Sequence, residues 1–86
     1  MGVSSSAVTV AATATLLVKA DGDGDEIVVT NVGTEIVYVG AAAVATTDGF
    51  PVASGGALSF KLSAGSSVYG IVAAGTEPVR VFKESN

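Results

Sequence analysis

Hydrophobic and polar positions alternate along most of this chain with a period of two, the signature of half-buried strands. The clearest run is Ala57 to Ser63, where Leu58, Phe60 and Leu62 fall on one face and Ser59 and Lys61 on the other. Glu26 to Asn31 and Ile36 to Gly40 read as two more strands. Asn31-Val32-Gly33-Thr34 between them predicts a hairpin, because Asn and Gly accept the positive φ that tight turns demand. Ser67 to Ala73 predicts a further strand with Tyr69 and Ile71 on one face. Pro78 is expected to open the last, Val79 to Lys83, where a strand tolerates proline best. Ala7 to Val10 and Thr15 to Val18 are weaker strand candidates, and Ala11 to Ala14 is the one place where a helical turn fits.

Six to eight short strands with turn residues about every ten positions predict an all-β domain, a small β-sandwich or jelly roll. The 86 residues make one domain, spanning 1–86, with residues 1–6 expected as a flexible N-terminal arm.

Composition changes the picture in one respect. A chain this short buries only about 60–65% of its unfolded surface, so a lone core is marginal and small proteins usually add a staple. Disulfides are ruled out by the lack of cysteine. Zinc is nearly ruled out as well, since histidine is also lacking and only carboxylates remain as ligands. Yet 49% of the residues are hydrophobic and only 14% charged, more apolar content than so small a core hides. Association through exposed Val, Ala and Leu, as a symmetric homo-oligomer, is the expected reinforcement.

Charge excludes other classes. The net charge is −4, with Lys19, Lys61, Arg80 and Lys83 scattered, so no basic stripe recognises nucleic acid. The uncharged stretch from Leu62 to Thr76 is too short and too rich in Gly and Ser for a membrane span of about 20 apolar residues.

Candidate chemistry is sparse. Asp21-Gly22-Asp23-Gly24-Asp25-Glu26 alternates carboxylates as a calcium loop does, making Asp21, Asp23 and Asp25 weak calcium candidates. The spacing then departs from an EF-hand, with Glu26 where Gly is required and Val32 where a bidentate Glu belongs. A solvated acidic loop, with no cofactor, is the expected reading. Nucleophilic catalysis lacks its usual His or Cys partner, and Glu35 and Asp48 lie in expected turns with no aromatics beside them to hold a sugar. No catalytic residue is assigned, and an enzyme is not expected.

Interface candidates are more plentiful. Phe50, after the turn signal Asp48-Gly49, reads equally as a plug for the sandwich end or as an exposed anchor for a partner, with Pro51 opening a short edge segment. Tyr38 and Tyr69 carry the same ambiguity, since a strand tyrosine can be core with its hydroxyl at the rim.

The series Ile27-Val28-Val29-Thr30-Asn31-Val32-Gly33, Val37-Tyr38-Val39-Gly40, Thr47-Asp48-Gly49-Phe50-Pro51-Val52, Gly55-Gly56-Ala57-Leu58-Ser59-Phe60, Ser66-Ser67-Val68-Tyr69-Gly70-Ile71 and Val79-Arg80-Val81-Phe82 resembles small β-rich virion proteins of tailed bacteriophages. The likeness runs from about residue 7 to 83. It implies a β-sandwich or jelly roll on the virion, without catalysis, often as a trimer, with the major capsid protein as partner. The expected function is capsid decoration that stabilises the shell. The alternatives are a tail or fibre recognition module, or a calcium-dependent carbohydrate-binding module.

Overall fold

A computed structural model describes residues 2–20 and 24–85. Among the described residues eight strands follow one another: β1 (Gly2–Ala11), β2 (Thr15–Lys19), β3 (Asp25–Asn31), β4 (Val37–Gly40), β5 (Phe50–Val52), β6 (Ala57–Leu62), β7 (Ser67–Ile71) and β8 (Thr76–Ser85). They form two antiparallel four-stranded sheets, ordered β1-β8-β3-β6 and β2-β7-β4-β5. Strand pairs 1 with 8, 2 with 7, 3 with 6 and 4 with 5 are therefore all adjacent. The chain is one long hairpin folded over on itself, which is the jelly-roll arrangement.

Alternation decides which residues enter the core. In β3, Asp25, Ile27, Val29 and Asn31 point inward and are buried, while Glu26 is exposed. Glu77, Val79 and Val81 of β8 and Val37 and Val39 of β4 complete the alternating set. Val10, Ile27, Val29, Val37 and Val79 lose essentially all their exposure, and each such burial contributes about 1.5–3 kcal/mol. The core is built mainly from valine, whose branched Cβ suits a pleated sheet and loses little rotamer freedom on burial.

Four expectations are corrected. Residues 2–6 are not a free arm: they extend β1, in unbroken register with β8 from Gly2 opposite Ser85 to Ala11 opposite Thr76. Their side chains carry little sequence signal, because Val3 to Ala7 are exposed on both faces, beyond the cover of the second sheet. No helical turn forms at Ala11 to Ala14. The Thr15 hydroxyl accepts from the Ala11 N–H and donates to the Thr13 carbonyl, bending the chain toward β2 instead.

The predicted hairpin between β3 and β4 is also absent, since the two strands lie in different sheets and the segment joining them crosses the sandwich. Pro78, expected to open its strand, sits two residues inside β8. Its carbonyl accepts from Val32 N–H, so its nitrogen faces the β3 side, just past the last β3 pair, Asn31 with Val79. The missing N–H would have faced Val32, beyond the end of the β3 ladder, so the pairs from Asn31 with Val79 onward stay intact, which is why a proline fits a strand flanked on both sides.

Candidate interaction surfaces and the polar clip

Three of the four interface candidates are brought to one place. Paired residues share a face, so the register Leu16 opposite Tyr69, and Ile71 opposite Tyr38 opposite Pro51, puts these side chains together on the outer face of the second sheet. Leu16 is 47% exposed, and Ile36 extends the same face with 43%. Tyr38, Tyr69 and Ile71 are half-buried by their neighbours and Pro51 is exposed. The buried Val37 and Val39 leave Tyr38 no choice but the outer side, so both tyrosines are surface residues.

Phe50 lies elsewhere. Opposite Val39, it faces the interior, but sheet cover ends there and the ring stays 59% exposed. It borders a shallow apolar groove of about 370 Å³ between the sheets, whose walls include Val39, Leu58, Phe60 and Val68. The ring is therefore exposed and does not plug the end of the sandwich.

The acidic run divides. Asp21 and Asp23 lie outside the described residues. Gly24, at φ 82°, turns the chain into β3, where a left-handed conformation favours glycine. Asp25 is fully buried opposite Leu62, so a uniformly solvated loop is not what forms. Glu26 is exposed and lies 3.9 Å from Lys61, a surface pair worth at most about 1 kcal/mol. Among the described residues no three acidic side chains converge as a metal site would require.

The sequence reading missed a polar clip at the β3–β4 crossing. Asn31, fully buried, donates through Nδ2 to the carbonyls of Glu35 (2.6 Å) and Val52 (3.0 Å), and its Oδ1 accepts from Gly33 N–H (2.9 Å). Its backbone is bonded to both Gly55 and Gly56. Glu77, 5% exposed, reaches from β8 to the same crossing. Its Oε1 accepts from the N–H groups of Thr34 (2.9 Å) and Glu35 (3.0 Å) and from the Thr34 hydroxyl (3.1 Å).

Hydrogen bonds that favour the ionised form, led by the Thr34 N–H, hold the Glu77 carboxyl below its ordinary 4.5 against the opposing effect of desolvation. Gly33 serves by its size: a Cβ there would stand 2.8–2.9 Å from the Glu77 carboxylate atoms. The signal available in the sequence was a Glu two residues before Val79 and four before Val81, whose shared parity points it inward with them. Glu35 and Asp48, considered for sugar chemistry, are turn residues as expected. Asp48 accepts from Ala45 N–H (2.8 Å), and Glu35 contributes its backbone to the clip.

No family model matches this sequence, and no curated protein is similar to it at a significant level. Among solved structures, the fold is similar to that reported under the description "Bacillus endospore appendages form a novel family of disulfide-linked pili". The TM-score is 0.61 at 20% identity, covering 98% of this chain and 85% of that one. At that identity the likeness establishes the β-sandwich architecture alone.

Proposed function

We propose that this chain is a non-catalytic structural protein of a tailed-bacteriophage virion, which decorates the capsid by seating the outer face of its β2-β7-β4-β5 sheet on the shell of major capsid protein. The observation that carries this reading is the gathering of Leu16, Tyr38, Pro51, Tyr69 and Ile71 on that one face. Tyrosine and proline with aliphatic neighbours give large contact area at low conformational cost, as association surfaces do. The resemblance of the strand and turn series to small phage virion proteins supplies the partner. Decoration stabilises by mass action, because a ligand that binds only the assembled shell adds free energy at each occupied site.

The test is to remove the gene from a phage genome that carries it and purify the particles. The reading expects the protein in wild-type particles and a lowered inactivation temperature without it. Unchanged composition and unchanged heat tolerance would refute it.

A second reading has one observation in its favour: the fold likeness to the endospore appendage protein spans 98% of this chain. On that reading the chain is a repeating subunit of a filament. Without cysteine its subunits would be held by non-covalent contacts alone. Electron microscopy of the purified protein separates the two, because a filament subunit should polymerise in the absence of any capsid.

A further inference from the structure

The four sheet edges are unequally protected. β5 is three residues long with Pro51 at its centre, β2 is short, bulged between Leu16 and Val18 and ends on Lys19, and β6 carries Lys61. Short length, proline, bulges and lysine are the usual devices that stop edge strands from pairing. β1 has none of them: it runs ten residues in unbroken register, and residues 2–18 contain no charge and no proline. We propose that the free edge of β1 pairs antiparallel with β1 of a second copy, joining two β1-β8-β3-β6 sheets into one continuous sheet about a two-fold axis at Ser6.

The register follows from bonds already made. Pro78 turns its carbonyl toward Val32 and away from β1, so its partner Thr9 must turn its own N–H and C=O away from β8. Alternation then aims the same groups of Ala7, Ser5 and Val3 outward. Ala11 belongs to this set too, but its N–H and C=O are engaged by Thr15 Oγ1 and by Val72 N–H. A two-fold axis at Ser6 sets Val3 against Thr9 and Ser5 against Ala7 twice over, so every outward group finds a partner.

Charge argues for a second copy as the occupant. Each chain carries −4, and β1 brings no charge to the seam, so two copies meet there without setting like charges against each other, whereas β5, the other uncharged edge, is closed by its short length and Pro51. The contact is isologous and closes at two copies, because the remaining edges are blocked. It also leaves the outer face of the other sheet free, so it stands independently of the docking face proposed above.

At the axis, Ser6 meets Ser6 of the second copy as a non-hydrogen-bonded pair with Cα atoms about 4.5 Å apart, where like charges repel. The experiment is sedimentation equilibrium of the wild type, of Ser6→Lys and of Ser6→Asp, alone and mixed, with circular dichroism to show that each is folded. Ser6 is exposed, so neither variant disturbs the core. The expected result is a wild-type dimer, at least tenfold weaker association for each variant alone, and recovery of a dimer on mixing the two. A second measurement uses Ser6→Cys, which should form a disulfide-linked dimer under mild oxidation, whereas Ser59→Cys on the outer face should not. A wild-type monomer up to near-millimolar concentration, a trimer, or a dimer indifferent to Ser6→Lys would overturn the proposal.

Discussion

Replacing Asn31 by alanine should be among the most damaging single changes this fold can suffer away from its valine core. The side chain satisfies three backbone groups drawn from two segments, the 33–35 loop and β5. The bond to Val52 is wholly buried, and leaving its carbonyl unpaired costs about 1–3 kcal/mol. The bonds to Gly33 and Glu35 are partly buried, so water can replace them in part and each loss costs nearer 0.5–1 kcal/mol. The sum is roughly 2–5 kcal/mol, against a total stability of about 4–13 kcal/mol for a domain of this size. In a thermal melt this corresponds to a drop of roughly 8–40 °C. Urea unfolding followed by circular dichroism gives the same quantity at fixed temperature, and an unchanged slope would show that the folded state alone was altered. A loss below about 0.5 kcal/mol, the range of ordinary surface substitutions, would refute the view that the clip holds the crossing.

Three further outcomes follow from the same geometry. The lowered Glu77 pKa means the unfolded chain binds more protons below pH 4.5, so stability should fall as pH drops from there through the lower folded value; Glu77→Gln should reduce this acid loss, at the cost of stability near neutrality. Asp21→Asn with Asp23→Asn should leave the melting temperature unchanged or slightly raised, whereas Asp25→Asn should lower it because Asp25 is buried; a melting shift of several degrees with millimolar Ca²⁺, lost in the Asn variants, would instead identify a cation site. Tyr38→Ala with Tyr69→Ala should leave the fold intact and weaken shell binding at least tenfold in a co-sedimentation assay, about 1.4 kcal/mol or more.

The fold was legible where alternation was clean. β6 and β3 could be read nearly to their ends from Leu58, Phe60 and Leu62 and from Ile27 and Val29, because one face had to be buried. Strand partners were less legible, since an Asn-Val-Gly-Thr loop suits a hairpin and a sheet crossing equally. What selects the crossing is the distant Glu77 carboxylate lying against Gly33, a contact 44 residues apart in sequence. The N-terminal half of β1 was hidden because its serines are paired through backbone alone, which leaves no side-chain pattern. Of the interface residues, composition pointed to the tyrosines and to Phe50. That Tyr38, Tyr69 and Pro51 share one face while Phe50 faces a groove required the register of β4 with its two neighbours.

Electron cryo-microscopy of particles from a phage that carries this gene tests the central proposal most directly. The account predicts eight-stranded density on the outer shell surface, with Tyr38, Tyr69 and Leu16 against the major capsid protein. Particles without that density, or with the β2-β7-β4-β5 sheet turned toward solvent, would contradict it.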